Sequence, residues 1–178
     1  RMAQRKAIIR RLPAVETLGA VSVICSDKTG TLTCNEMTVR QIVTAEGTVS
    51  VTGTGYAPSG TFTQDNQNLR TEQQGPTMEI CRAALLCNDA SVRQNGDSWQ
   101  VNGDPMEGAL ITVALKAGYE QDVSRKSFPR LDEIPFDAAH RFMATLHHDH
   151  ETGHAFMVVK GAPEQILAMC DKERSISG

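Results

Sequence analysis

Apolar and polar positions alternate in three different ways along this chain, and each spacing predicts a different element. Val21, Val23 and Ile24, with Cys25, form a short continuous run rich in β-branched side chains. That run predicts a buried strand of the parallel type ending at Ser26-Asp27. Between Met37 and Val43, and again from Val49 to Thr52, apolar and polar residues alternate about Glu46-Gly47, the pattern of a hairpin. Helical spacing links Met78, Cys81 and Leu85, and also Ile80, Ala84 and Cys87, so a helix should begin at Thr77 and end near Asn88. Another helix opens with Asp104 as N-cap, Pro105 at the first helical position and Glu107 three residues after the cap, and it stops at Gly118. Strands are expected over Ser98–Asn102, Leu131–Phe136, Phe142–His147 and Ala155–Val159, and a last helix over Glu164–Cys170.

The connecting segments are of unequal character. Residues 2–11 form a basic lead-in, Pro13 precedes a short helical pattern that stops at Gly19, and a new unit starts near Asn35. Residues 53–76 are rich in Gly, Thr, Gln and Asn, with Pro58 and Pro76, and read as one long mobile loop. No internal repeat is present.

Composition narrows the function classes without choosing among them. At 178 residues the chain can bury about 70% of its unfolded surface. Its 40% hydrophobic and 22% charged content is ordinary for a globular protein. Eighteen basic against 21 acidic residues give a net charge of −3, which offers no footprint for nucleic acid. The longest apolar runs fall far short of the ~20 residues of a membrane helix. Five widely spaced cysteines without a C-x-x-C pair point to neither a disulfide framework nor a zinc ribbon, and so to a reducing compartment, the cytosol. The chain opens without a signal segment, and its abrupt ends suggest a piece of a longer protein.

The chemistry is concentrated at residues 27–33. Asp27 should stand at the carboxyl end of a buried strand, where open α/β sheets place their ligands. Behind it come Lys28, the hydroxyls of Thr29 and Thr31, and Gly30, which allows close backbone approach. A carboxylate so placed can attack the terminal phosphorus of ATP to give an aspartyl phosphate, with Mg2+ and Lys28 offsetting the charge on the transferred group. Taken singly these residues would make an ordinary N-cap and turn. Seven specified residues in the order Asp27-Lys-Thr-Gly-Thr-Leu-Thr33 make coincidence negligible.

That string resembles the phosphorylation signature of the P-type ATPases, ion pumps whose phosphorylation domain has the haloacid dehalogenase fold. The likeness extends to Leu12–Gly19, Val23–Ser26, Val51–Tyr56, Cys87-Asn-Asp89, Gly103–Leu110, Pro135-Phe136 and Lys160-Gly-Ala-Pro-Glu164. These segments are similar to the type II branch of calcium, sodium/potassium and related pumps. The resemblance implies an α/β phosphorylation-domain fragment over residues 1–35 and an α+β nucleotide-binding domain, with antiparallel sheet and flanking helices, over residues 36–178 and beyond. It implies ATP and Mg2+ as cofactors, with Asp27, Lys28 and Thr29 catalytic and Asp27 and Thr29 the metal-facing pair. The remainder of the pump would be the partner, with this piece lying on the cytoplasmic side of a prokaryotic plasma membrane.

By the same resemblance, Phe136 stacks on adenine, Glu107 lies near the adenine, and Lys160 and Gly161 approach the adenine and ribose. Where the calcium-pump pattern places Arg two residues after the stacking Phe and Lys five after it, this chain has Ala138 and Arg141. One phosphate contact is therefore missing, and Arg141 can supply the other. Read without the resemblance, Phe136 would be core, Lys160 a strand-end lysine reaching water, and Glu107 half of a capping box. Thr29 stands where soluble phosphatases of this superfold carry a second Asp, and a threonine cannot relay a proton near neutral pH. The phosphoenzyme should therefore resist rapid hydrolysis.

Rival readings are a free-standing aspartate-dependent phosphatase and a non-catalytic nucleotide- or metal-sensing module. The latter draws on His140, His147, His148, His150 and His154, all within 15 residues, although Asp149 and Glu151-Thr-Gly153 fit a hairpin tip. Gly53-x-Gly55 lacks the third glycine of a dinucleotide fingerprint, and no Walker A loop occurs.

Overall fold

The computed structural model describes residues 20–28, 30–69 and 75–172. Contacts divide the chain into two units, Arg1–Asn35 and Glu36–Gly178. The basic lead-in and the helical pattern ahead of Gly19 lie outside the described residues.

In the first unit the strand expected at Val21–Cys25 is not formed. Residues 21–27 run without helix or strand, and Val21, Val23 and Ile24 are 50%, 72% and 86% exposed. A parallel strand needs neighbours to take up its amides and to cover both faces, and the described part of residues 20–35 contains no strand to pair with it. Beyond it the chain makes a single turn, in which Leu32 N donates to Lys28 O at 3.0 Å.

In the second unit every strand pairing among the described residues is antiparallel. The expected first hairpin is present as β1 (Gln41–Thr44) and β2 (Gly47–Val51), with Ala45-Glu46 between them. Two further strands, β3 (Phe62–Gln64) and β4 (Gln67–Asn68), extend it to four strands and correct the expectation of one long loop over residues 53–76. The turn between them holds Asp65 at φ +51° and Asn66 at φ +62°, the left-handed pair of a two-residue hairpin turn. Phe62 anchors the addition, being 2% exposed.

The helix α1 (Pro76–Leu86) turns Met78, Cys81 and Leu85 into a core shared with Ile42, Val49, Val51 and Phe62 of the sheet. Then β5 (Ser91–Asn95) and β6 (Ser98–Asn102) form a two-stranded hairpin. The helix α2 (Pro105–Lys116) follows, capped as expected, with Asp104 Oδ1 accepting from Met106 N at 2.8 Å and Glu107 N at 3.3 Å. Its apolar residues are distributed around the axis because it is covered on two sides. Val113, Ala114 and Ala117, just past its end, join the first core, and Ile111 joins a second with Tyr56, Ala90 and Val92. Gly108 permits the approach to β6, since a Cβ there would meet Val101 Cγ2 at 2.4 Å.

A short helix α3 (Gln121–Ser127) leads into a three-stranded meander of β7 (Arg130–Asp137), β8 (Phe142–His148) and β9 (Ala155–Gly161), closed by α4 (Pro163–Met169). The central strand β8 buries Met143, Thr145 and His147. His147 is committed to structure: its ring nitrogens meet Phe128 O at 2.9 Å and Thr145 Oγ1 at 2.8 Å, and its ring stacks on Phe156. The hairpin tip uses Asp149 as expected, its Oδ1 accepting from Glu151 N at 2.9 Å.

Candidate functional site

Register places the site at one end of the meander. Ile134 pairs with Ala144 and Asp137 with Phe142, so Pro135 and Phe136 together stand opposite the single residue Met143. This is a β-bulge, a device that re-aims side chains. Pro135 suits it, because proline cannot donate to a ladder and is confined to edge strands and bulges, and β7 is an edge. On its other side Met143 pairs with Lys160. Phe136 and Lys160 therefore flank the same rung of the sheet. Phe136 is 62% exposed, so it is not the core residue that its apolar character alone would make it.

Lys160 is met by Glu107 from the first turn of α2, 53 residues away in sequence, with Nζ donating to Oε1 at 2.5 Å. Their side chains are 19% and 14% exposed, so the pair is sheltered yet open to one side. An ammonium has three hydrogens, and only one is needed by Glu107. The carboxylate likewise keeps lone pairs for further donors. The Asp104 half of the capping box is formed, while the Glu107 side chain is drawn to Lys160.

Asn88 sets this pair in place and was not singled out from sequence. It is 1% exposed, and its Nδ2 donates to Ala84 O at 3.1 Å and to Glu107 O at 3.0 Å, while Oδ1 accepts from Ala90 N at 2.9 Å. One amide thus fastens the end of α1 to the start of α2. The available signal was the Cys87-Asn-Asp89 segment, whose cysteine donates from Sγ to Met143 O at 3.7 Å, under the same rung. Arg130 adds a second fastening, donating to Leu86 O, Asn88 O, Asp89 and Glu133.

Gly161 follows Lys160 on β9 and pairs with Phe142. A Cβ there would lie 2.5 Å from Arg141 O and 2.7 Å from Phe142 Cβ, so only glycine fits this crossing. Arg141 sits at the β7–β8 turn with φ +57°, and its Nη1 donates to Glu164 Oε1 at 2.7 Å. Four of the five expected pocket residues, Lys160, Gly161, Phe136 and Glu107, gather about Met143 and its neighbours, and Arg141 stands one rung beyond. A cavity of about 460 Å3 between the β1–β2 turn and α1, lined by Thr44, Glu46, Pro76 and Ile80, shares no residue with this group. The group forms a shelf with an aromatic face, a carboxylate and an ammonium.

The residues of the first unit are described by themselves. Asp27 and Lys28 are exposed, and Thr29 lies outside the described residues. With no strand formed at residues 21–27, Asp27 does not stand at the strand end expected for it. Gly30 takes φ +75°, and its N–H donates to Thr33 Oγ1 at 3.2 Å, which gives the signature its tight turn. Asp27 is the one carboxylate between residues 20 and 35. That is compatible with Mg2+, which takes one or two carboxylates beside substrate phosphates and keeps several waters.

No group of three or more His, Cys, Asp or Glu among the described residues is arranged to hold a metal ion, and none of the described helices is long and apolar enough to cross a membrane.

Residues 76–178 match the family described as P-type ATPase, cytoplasmic domain N. The chain is 46% identical over 177 residues to a cation-transporting ATPase, pma1, of Synechocystis, covering 96% of this chain and 19% of that protein. It is 37% identical over 167 residues to a calcium-transporting ATPase of Bacillus subtilis, covering 94% of this chain and 19% of that protein. To calcium-transporting ATPase type 2C member 1 of Bos taurus it is 41% identical over 176 residues, covering 96% of this chain and 18% of that protein. The chain thus spans about a fifth of the length of these relatives. It belongs to the P-type ATPases, and residues 76–178 are sequence of their cytoplasmic domain N.

Proposed function

We propose that residues 36–178 bind ATP and that residues 1–35 carry its phosphoryl acceptor, Asp27, within a cation-transporting pump. One observation carries the reading: the bulge at Pro135-Phe136 presents an exposed aromatic ring on the rung flanked by Lys160, whose ammonium is held by Glu107. The ring of Phe136 offers a stacking face for adenine, an interaction worth about 1 to 3 kcal/mol per base in nucleic-acid complexes. The Glu107 carboxylate can accept from the exocyclic amine of adenine, a donor that guanine lacks at that position. Lys160 keeps two N–H donors for ribose or phosphate, and Arg141 is the cation placed for the polyphosphate.

In the transfer step a carboxylate oxygen of Asp27 attacks the γ-phosphorus of ATP. The bond from that phosphorus to the bridging oxygen breaks, ADP leaves with the electron pair, and an aspartyl phosphate remains. Lys28 lies beside Asp27 to balance the charge of the incoming phosphates. Mg2+, when bound, neutralises charge on the phosphate oxygens. Thr29 cannot act as a general acid/base near neutral pH, so hydrolysis of the aspartyl phosphate is left to groups beyond residues 1–35. In the full pump, formation and loss of the phosphoenzyme would drive cation transport. Relatives named as calcium-transporting make calcium the first cation to test.

The test uses the full-length pump in membranes with γ-labelled ATP. Label should be incorporated in an acid-stable, hydroxylamine-sensitive form and should be lost in Asp27→Asn. Equal labelling of the variant would contradict the assignment. A panel of cations in the same assay names the transported ion as the one that controls the level of label.

A further inference from the structure

Arg141, the cation placed for the phosphates, is already engaged. Its Nη1 donates to Glu164 Oε1 at 2.7 Å across 23 residues, and the two side chains are 47% and 60% exposed. Its main chain is held more firmly than its side chain. At φ +57° the backbone occupies the left-handed region, which a bulky residue enters only at a cost. Arg141 N donates to Asp137 O at 2.7 Å, and Arg141 O accepts from Ala162 N at 2.9 Å. The guanidinium is therefore carried on a fixed post beside Gly161, next to Lys160, while its tip is free to exchange partners. Glu164 stands in the first turn of α4, two residues after Ala162.

We infer that Glu164 is an internal competitor for Arg141, and that it thereby sets how much the phosphates of a nucleotide add to the binding of its nucleoside. The inference rests on the nucleotide reading above. Arg141 is the one Arg or Lys between Phe136 and Phe142, since position 138 is Ala. Glu164 takes one of the five N–H donors of the guanidinium, so a polyphosphate seeking a bidentate contact either displaces the carboxylate or binds with its negative charge alongside. Of the other charges about this corner, Glu107 is paired with Lys160 and Asp137 faces His140, so Glu164 is the acid that meets Arg141. An exposed ion pair is weak, which lets a phosphate displace it, and an acidic residue in the first turn of a helix is tolerated without a partner. Glu164 is therefore a specificity-determining residue for the phosphate end of the ligand and is neutral toward the base.

The chain, E164Q, R141A and the double variant are titrated with ATP, AMP and adenosine at low salt. Both residues are on the surface, so the variants should keep the native circular dichroism spectrum. E164Q should tighten ATP by about two- to fivefold, an effect of the size open to an exposed charge pair, and leave the affinity for adenosine unchanged. The gain should shrink as salt is raised and should disappear in the R141A background. An unchanged ratio of ATP to adenosine affinity in E164Q, or a gain undiminished in R141A, overturns the competitor role while leaving the nucleotide reading in place. Absence of both ATP and adenosine binding by the folded chain overturns the two together.

Discussion

The side-chain amide of Asn88 donates to the carbonyl of Glu107 at 3.0 Å, so the residue whose carboxylate holds Lys160 has its own backbone tied to the end of a different helix. Asn88 is 1% exposed and Ala90 is fully buried, while the carbonyls of Ala84 and Glu107 are partly covered. Replacing Asn88 with Ala leaves the buried Ala90 N–H without its partner and removes a donor from Ala84 O and from Glu107 O, the latter also serving its own helix. Each orphaned buried group costs about 1 to 3 kcal/mol. The expected loss in chemical denaturation is about 2 to 4 kcal/mol, within the range of broken buried networks. A loss under about 0.5 kcal/mol, the range of ordinary surface changes, would show that the tie is not structural.

His147 gives the fold a dependence on pH with a fixed sign. Burial pushes its pKa below the ordinary 6.5, with the neighbouring Arg130 charge acting the same way and the hydrogen bond to Phe128 opposing them. The folded state therefore binds this proton less readily than the unfolded chain does. Its contribution is complete above pH 6.5 and is lost as pH falls from 6.5 toward the lower folded value. Unfolding free energy should decline as pH falls below 6.5, and His147→Gln should flatten that decline. A variant with the same slope as the parent chain would remove His147 as its source.

Gly161→Ala tests the crossing of β9 over the β7–β8 turn. The new Cβ would meet backbone and Cβ atoms of Arg141 and Phe142 at 2.5–2.8 Å, and the turn is pinned by its own hydrogen bonds. Overpacking of this kind costs about 1 to 3 kcal/mol. A matching fall in denaturation midpoint is expected, together with weaker ATP binding because Lys160 is the preceding residue.

Thiol reactivity should divide the five cysteines into two groups. Cys25, Cys34 and Cys170 are exposed, whereas Cys81 and Cys87 are buried. Burial raises the Cys81 thiol to about 12 and also raises that of Cys87, which suppresses the reactive thiolate. Native alkylation followed by mass spectrometry should show three rapid modifications, with the remaining two appearing only on unfolding.

The parts legible in the sequence are those where local chemistry and tertiary context agree. Asp104-Pro105 capped α2 as its spacing required, and the strand expected at Phe142–His147 is the central strand of the meander. Where a polar stretch hid one decisive residue, the reading failed. Asp65-Asn66 closes a hairpin that only buried Phe62 explains, and β5, absent from the expected strands, has a single buried apolar residue, Val92, ahead of the turn at Gly96-Asp97. At Val21–Cys25 the apolar run had no neighbour to pair with among residues 20–35, so propensity alone did not make a strand. Within the site, motif residues were readable from their types. The bulge that brings Phe136 beside Met143, and the buried amide of Asn88, depend on register and packing between distant segments, which spacing does not encode.

Calorimetric titration of the chain with ATP, against GTP and EDTA controls and repeated on Phe136→Ala, addresses the nucleotide site most directly. Phe136 is 62% exposed, so its truncation should change stability by no more than about 1 kcal/mol and isolate the effect on binding. Saturable binding that prefers ATP to GTP, persists in EDTA and is lost in Phe136→Ala is the predicted result. A folded chain that binds no ATP, or that binds it equally well without the Phe136 ring, would contradict the assignment of this shelf as the nucleotide site.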